Sequence, residues 1–514
     1  MSDAGRPTRP PPRVPNKGII TFLVMCATVM QSLDTTIANV ALPHIQGTVA
    51  GTQDEMGWVL TSYIVAAAIT IPLTGWLANR FGRRPIFLIS VATFTFASAL
   101  CGMAQSVPEI VAFRFLQGIG GAALVPFSQA VLLDINGPKE YPRAMSVWSV
   151  GVMVGPILGP VLGGWLTEDF SWRWVFYINL PIGVLVFFGL MATLRKGQSA
   201  KMHFDFFGFA TLALAVGALQ IMLDRGQEKN WFSSTEIIVE TVVAGLAFYL
   251  FIVQMFTSKR PFINPGLFRN RNFIVCIFIG TVGSLGMYAT LALLPPMLQS
   301  LMQYPVILTG MVTAPRGMGM LLTLFLSGRL IGRFDARLLL TIGVVVSAYG
   351  LWQMTHFSLQ MDYWPIVFSG VIQGLGLGLV FALANTLAFT TIPMSLRNEA
   401  TSFWSLVRNM GSSIGISVTA FLQTQNTQIV HSTLTEHLTH YNIASNPAVA
   451  AAHIDVSTAK GLAALNAMIT KQAAMIAYID NFWMVMLLTL ATAPFILLLR
   501  RARSSAGGHV AAVE

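Results

Sequence analysis

The chain has 514 residues, 54% of them hydrophobic and 10% charged, where an ordinary soluble protein carries about 25% charged residues. A chain this long cannot bury so much apolar surface and cover the rest with so few charges, which excludes a soluble enzyme, a nucleic-acid-binding domain and a disordered scaffold. The net charge of +10 then becomes a question of where the cations sit relative to a bilayer.

Residues 1–17, rich in Pro and Arg, read as a disordered arm, and the apolar run after them is too long for a cleaved signal peptide. A bilayer core of about 30 Å needs roughly 20 apolar residues per helix. Runs of that kind predict an all-α integral membrane protein with spans near 18–40, 56–78, 86–106, 109–132, 143–166, 172–194 and 206–224, then near 237–257, 273–298, 308–330, 338–356, 363–392, 402–424 and 478–499. The three cysteines, Cys26, Cys101 and Cys276, fall in apolar runs with no CxxC pair, so neither a disulfide framework nor a zinc site is indicated.

In the first span, QSLDTTIANVALP holds Asp34, the one acid of 21 expected well inside a helix, about six residues or roughly 9 Å from its outer end. After the second span, GWLANRFGRRP places Gly75 and Gly82 for a tight turn around Asn79, Arg80, Arg83 and Arg84. These arginines could latch onto carboxylates or helix C-termini of the other half, or serve only as a topology signal. Arg114 in the fourth span is expected at the depth of Asp34. An intramembrane Asp near a cation can alternate between proton-loaded and substrate-loaded states; a static brace would use the same two residues. The fifth span, GVMVGPILGPVLGG, sets Gly151, Gly155, Gly159 and Gly163 on one bare ridge, which admits a close neighbour, while Pro156 and Pro160 bend the helix.

A shift of 253 residues pairs Gly57, Gly75, Arg80, Phe81 and Arg84 with Gly310, Gly328, Arg333, Phe334 and Arg337. A shift of 256 pairs Gln117, Gly118 and Gly120 with Gln373, Gly374 and Gly376, and Trp148, Ser149, Gly155 and Gly159 with Trp404, Ser405, Gly411 and Gly415. Spans 1–6 and 9–14 therefore read as two copies of one six-helix unit, with two helices inserted between them. The expected division is an N-terminal bundle over 18–196, the insertion over 197–260, a C-terminal bundle over 261–505 and a tail over 506–514, with a substrate site between the halves. In the second copy Met287 stands at the position of Asp34 and Gly370 at that of Arg114. The polar machinery is thus expected in the first half, with the second half shaping the cavity. Arg316 matches Tyr63, and Arg408, matching Val152, reads as a structural or gating residue near the cytoplasmic end of its helix. Gln31, Tyr63, Gln129, Tyr288, Arg316, Gln373 and Asn385 are the polar cavity candidates, in a Met- and aromatic-rich chain suited to apolar ligands.

Residues 425–477 are expected to form the one long extramembrane loop. Its His431, His437 and His440 beside Glu436 read as a solvated amphipathic segment rather than a metal site. With the N-terminus inside, 23 of the 31 Lys and Arg fall on one face and 5 on the other, while Arg114, Arg316 and Arg408 lie within spans. The positive-inside rule then puts both termini in the cytoplasm and the 425–477 loop outside.

LDTTIANVALP, GWLANRFGRRP, RFLQGIGGA and GPILGPVLGG resemble, in order, the helix-1, loop 2–3, helix-4 and helix-5 motifs of fourteen-helix drug:proton antiporters of the EmrB/QacA type, within the major facilitator superfamily. LDRGQEKNWFSS after the seventh span is most similar to the EmrB branch. The resemblance implies a major-facilitator fold of two six-helix bundles plus two inserted helices. It also implies proton-coupled export of hydrophobic, toxic compounds across a bacterial cytoplasmic membrane, with no cofactor beyond the proton gradient and no nucleic acid. A dedicated exporter of one metabolite, lipid or siderophore is the alternative, and a non-transporting sensor or membrane-embedded enzyme is the reading from another class. Carried over by position, Asp34 takes the proton- and substrate-coupling role, Arg114 that of the helix-4 arginine, and Gly155, Pro156, Gly159 and Pro160 the antiporter motif. Asn79 stands where the loop motif usually has an acid, which removes a charge from the expected gate. A periplasmic adaptor and an outer-membrane channel are the partners implied.

Overall fold

The computed structural model describes residues 16–137, 140–195, 203–331, 333–436 and 458–499. They form fourteen helices: α1 (Lys17–Val49), α2 (Gln53–Phe81), α3 (Arg83–Met103), α4 (Val107–Gly121, resuming at Leu124–Ile135), α5 (Tyr141–Asp169) and α6 (Trp174–Tyr177 and Asn179–Thr193), then α7 (Phe206–Arg225) and α8 (Thr235–Thr257). The series continues with α9 (Arg271–Pro296, prolonged by a π turn over Met297–Leu301), α10 (Val306–Leu330), α11 (Ala336–Met354), α12 (Trp364–Thr390), α13 (Arg397–Glu436) and α14 (Ala459–Leu490 and Ala493–Ile496).

Among the described residues, twelve of these are long and apolar enough to cross a membrane. The other two, α10 and α13, are the helices that carry Arg316 and Arg329, and Arg397, Glu399 and Arg408. Both are nonetheless packed inside the bundle, α10 along α12 and α13 along α9. Arg316, Arg397, Glu399 and Arg408 are buried or half-buried against protein, which is how such residues persist at membrane depth, whereas Arg329 in the last turn of α10 is exposed.

The repeat reappears as packing. In the first half α1 packs on α5, α2 and α3 pack on α4, and α3 on α6; in the second, α9 packs on α13, α10 and α11 on α12, and α11 on α14. Individual contacts recur as well. A Cβ at Gly118 would lie 2.4 Å from the Tyr63 carbonyl, and one at Gly374 would lie 2.1 Å from the Arg316 carbonyl. Gly120 and Gly376 approach the amides of Phe94 and Ser347 at 2.5 and 2.2 Å in the same way. The inserted α7 lies against α8, α2 and α13. The motif noted from its C-terminal part onward clasps both halves: Ser417 Oγ donates to Leu223 O at 2.7 Å, Gln227 Nε2 to Thr424 Oγ1 at 2.8 Å, and Arg225 lies 4.8 Å over the Trp58 ring.

Three helices are longer than expected. α1 continues through Pro43 to Val49, so Asp34 lies at mid-helix rather than near the outer end. A proline removes one hydrogen bond, and Ala41 and Ile45 are buried on either side of it, so packing carries the helix across. Much of the expected 425–477 loop is also helical, because α13 runs on to Glu436 and α14 starts at Ala459. Polar side chains pair the two extensions, with Gln423 Nε2 donating to Ala474 O at 3.0 Å and His431 Nε2 bonded to Asn466 Oδ1 at 2.9 Å. His437 and His440 lie outside the described residues.

Candidate functional site

Asp34 is fully buried, and its carboxylate is held from two other helices. Arg114 Nη1 of α4 donates to Oδ2 at 2.7 Å, while Gln117 Nε2 of α4 and Asn179 Nδ2 of α6 donate to Oδ1 at 2.8 and 3.0 Å. The arginine is satisfied in turn, donating Nε to Val59 O at 3.2 Å and Nη1 to Gln117 Oε1 at 2.8 Å, with its guanidinium carbon 4.2 Å from the Tyr63 ring centroid. Tyr63 Oη accepts from Gln31 Nε2 at 3.2 Å, so two cavity candidates belong to this cluster. Asn179 also donates to Ser98 Oγ at 3.0 Å, and Ser98 to Phe176 O at 2.9 Å. A buried ion pair persists only where further hydrogen bonds support it, and here both carboxylate oxygens and two of the three guanidinium nitrogens are bonded. Sequence reasoning brought Asp34 and Arg114 to similar depth but missed Ser98 and Asn179. Their only signal was a neutral polar residue inside an apolar run.

The close approach of α1 and α5 sets this geometry. Built Cβ atoms at Gly151, Gly155 and Gly159 would fall 2.1 Å from Met25 Cε, 2.2 Å from Ser32 O and 2.0 Å from Thr36 Oγ1, and one at Gly163 would fall 3.0 Å from Ile37 Cγ1. Pro156 has no N–H for the carbonyl of Val152, and Ser32 Oγ of α1 donates to that carbonyl at 2.5 Å instead. Thr36 Oγ1 donates to Gly155 O at 2.9 Å. The proline bend is therefore stitched to the helix that carries Asp34, one turn from Pro160 at the next bend.

The second half has no such acid. Arg316 Nη1 of α10 donates to Thr290 Oγ1 of α9 at 2.5 Å, and the fully buried Gln373 of α12 donates Nε2 to the same hydroxyl at 3.4 Å. Met287, at the repeat position of Asp34, is buried. Arg408 does not sit near the end of its helix as expected. It lies eleven residues into α13, about 16 Å along the axis at 1.5 Å per residue. There its guanidinium is 5.6 Å over the Trp148 ring of α5, close enough to Tyr288 of α9 to interact electrostatically.

Where α2 turns into α3 the halves are bonded directly. Gly82 makes the turn with φ of 88°, a conformation that costs glycine little. Gly75 brings α2 onto α13, since a Cβ there would lie 3.1 Å from Glu399 Cα. The loop arginines divide their work differently from expectation. Arg83 alone reaches the other half, through Asn398, and its Nη1 also holds Asp134 at 2.5 Å. Arg84 donates to Met191 O at 2.6 Å within its own half, and Arg80 lies over its neighbour Phe81. The reason is direction: Arg83 and Arg84 are successive residues at the start of α3 and point about 100° apart, so one of the two faces the partner, while Arg80 closes α2. Asn79 accepts from Asn398 Nδ2 at 2.6 Å and donates to Glu399 at 3.4 Å, so an amide pair stands where a charge relay is usual. Arg397 of α13 completes the clamp with Asp134 at 3.1 Å and Tyr141. Gln129 and Asn385, both cavity candidates, bond each other across the halves at 3.1 Å. At the same end Lys17 pairs with Glu140 at 2.5 Å, and its ammonium holds that carboxyl below the usual glutamate range.

Two parallel six-helix bundles facing each other, with an ion pair sealed in one of them and a breakable polar clamp across one end, define a secondary transporter. The family model described as the Major Facilitator Superfamily matches residues 24–416, and the chain belongs to that superfamily; it is a multi-pass membrane transporter, not an enzyme. It is 36% identical over 427 residues to "Multidrug export protein EmrB" of Escherichia coli K12, covering 82% of this chain and 83% of that one. It is 34% identical over 500 residues to "Fatty acid resistance protein FarB" of Neisseria gonorrhoeae, covering 95% and 97%. Among solved structures, the proton:xylose symporter XylE superposes with a TM-score of 0.60 at 14% identity over 94% of this chain and 99% of that one. The human organic anion transporter MFSD10 does so with a TM-score of 0.58 at 14% identity over 92% and 100%.

Proposed function

We propose that the chain is an antiporter that exports hydrophobic compounds from the cytoplasm in exchange for protons. The observation that carries this reading is the Asp34 carboxylate, buried at mid-helix on three donors and paired with Arg114. A proton delivered to Asp34 removes the charge that orders these donors, and loss of the proton restores it. Movement between the two arrangements is passed to the α1–α5 interface, where Ser32 and Thr36 hold the bend at Pro156. Kinship to EmrB, a multidrug export protein, and FarB, a fatty acid resistance protein, supports apolar substrates. Under the positive-inside rule the α2–α3 end faces the cytoplasm, with both termini there, and the clamp of Arg83, Asp134 and Arg397 closes that side. The paired extensions of α13 and α14 then face the periplasm, where an adaptor and an outer-membrane channel would continue the route.

The test uses proteoliposomes with an imposed pH gradient and a panel of hydrophobic dyes. Asp34→Asn is expected to insert and fold like the wild type while gradient-driven export falls to background. Export at the wild-type rate would overturn the reading. The alignment with FarB over 95% of the chain favours, as a second reading, an exporter dedicated to one amphiphile. Mutual competition among many unrelated dyes for one transport signal would exclude it.

A further inference from the structure

We infer that the C-terminal half holds an anion subsite, in which Arg316, supported by Thr290 and Gln373, receives the acidic headgroup of an exported amphiphile such as a hydrophobic carboxylate. The inference rests on the export reading and specifies the substrate class. Its basis is a broken symmetry. In the first half, Gln117 and Arg114 surround a carboxylate, and Tyr63 packs its carbonyl on Gly118 and its ring on Arg114. In the second half Gln373 stands at the repeat position of Gln117, and Arg316, at that of Tyr63, packs its carbonyl on Gly374. The carboxylate itself is replaced by Met287, and Arg114 by Gly370. The second half therefore keeps a cation and an amide around the place of an acid that the chain does not supply.

The polar inventory says what is wanted there. A guanidinium has five N–H donors and stays charged. Among the described residues, the hydrogen bond of the Arg316 side chain goes to Thr290, and no Asp or Glu lies within ion-pair distance of it. The Thr290 hydroxyl directs its own proton back to the carbonyls of Gly286 and Met287 at 3.0 and 2.9 Å, so it only accepts from Arg316. Gln373 Oε1 is buried without a partner. A cation inside a membrane bundle is costly until an anion meets it, and a planar carboxylate matches the guanidinium fork. The protonated form of the same headgroup could also donate to Gln373 Oε1. Arg408, the other intramembrane cation of this half, also lacks a carboxylate partner among the described residues. The electrostatic bias of the half is therefore toward anions.

The experiment compares three fluorescent ligands sharing one apolar body: anthracene-9-carboxylate, 9-anthracenemethanol and anthracenylmethyl-trimethylammonium. Equilibrium binding is read on the full chain in lipid nanodiscs, and flux in proteoliposomes with an imposed pH gradient. The wild type is expected to bind the carboxylate about tenfold more tightly than the alcohol, equivalent to about 1.4 kcal/mol, and the ammonium compound most weakly. Arg316→Gln should erase that preference while leaving alcohol binding intact, and Arg316→Lys should keep part of it. Gln373→Glu, which sets a fixed carboxylate beside Arg316, should also abolish carboxylate binding, and it keeps the question open to test if Arg316→Gln does not fold. No preference in the wild type, or a preference that survives Arg316→Gln or Gln373→Glu, overturns the subsite. If none of the three ligands moves, the export reading fails while the binding data still judge the subsite. If the alcohol or ammonium compound moves without any carboxylate preference, the subsite alone fails.

Discussion

Asp34 is an anion placed where anions are expensive, and Arg114, Gln117 and Asn179 are what make that placement tolerable. The three donors are not equivalent. Arg114 brings charge, whereas the two amides bring direction and fix which oxygen faces which helix. Asn179→Leu should therefore leave the ion pair in place but remove one of the two amide donors from Oδ1. The expected result is severalfold slower gradient-driven dye efflux in proteoliposomes from a variant that inserts and folds like the wild type. An unchanged efflux rate would show that Asn179 is only packing. Asp34 and Arg114 were legible as lone charges in apolar runs, and Arg316 and Arg408 in the same way. Asn179 and Ser98 were not, for a physical reason. A neutral polar side chain in a span can satisfy itself on its own helix, as Thr28 does on Val24 O at 2.9 Å. Only the rotation of α3 and α6 about their axes decides that Ser98 and Asn179 turn to the acid.

At the level of helices, the glycine ridge of α5 was readable from its four-residue spacing, but its partner was not. A bare ridge says that something approaches closely, and the structure supplies α1, with Ser32 replacing the donor that Pro156 lacks. The ends of α1, α13 and α14 were misjudged because hydropathy measures contact with lipid, while these turns pack on protein through single residues such as Ile45 and Gln423. A methyl at Gly155 would meet the Ser32 carbonyl at 2.2 Å, whereas one at Gly164, on the same helix, meets nothing within 4 Å. Gly155→Ala should then cost about 1–3 kcal/mol as an overpacked contact and lower both the thermal midpoint in detergent and the export rate. Gly164→Ala should leave the export rate unchanged and hold or slightly raise the thermal midpoint, since an alanine in a helix costs less than a glycine. Equal behaviour of the two variants in a thermal unfolding series would refute the idea that the ridge is a contact surface.

For the whole molecule, the repeat is also a map of how the halves meet. Thr74 Oγ1 bonds Ser402 Oγ at 2.8 Å, and Ser327 Oγ bonds Ser146 Oγ at 2.7 Å. Thr74 and Ser327 are related by the 253 shift, Ser146 and Ser402 by the 256 shift, so the two contacts are images of one another. Gln129 and Asn385 are related by the 256 shift and bond each other, which places them on the axis between the halves. The repeat itself could be read from residue spacing; the pairing could not, because a shift says which positions correspond between the halves and carries no information about which surface faces its copy. The clamp is where symmetry fails. Asp134 holds Arg83 and Arg397 together, and its repeat position is Thr390. One carboxylate thus serves both arginines, and removing it leaves two cations facing each other across the interface. Asp134→Asn should therefore loosen this end, with the two hydroxyl contacts parting as the halves separate. In a background where Cys26, Cys101 and Cys276 are replaced, Thr74→Cys with Ser402→Cys should form a disulfide readily under mild oxidation, because the native oxygens are 2.8 Å apart. Adding Asp134→Asn should slow that cross-linking severalfold, and the symmetric Ser146→Cys, Ser327→Cys pair should slow in parallel, since both contacts open by one rotation. A slowing confined to one pair would mean that Asp134 props up a single helix end, and unchanged rates in both would mean that the clamp plays no part in holding the halves closed.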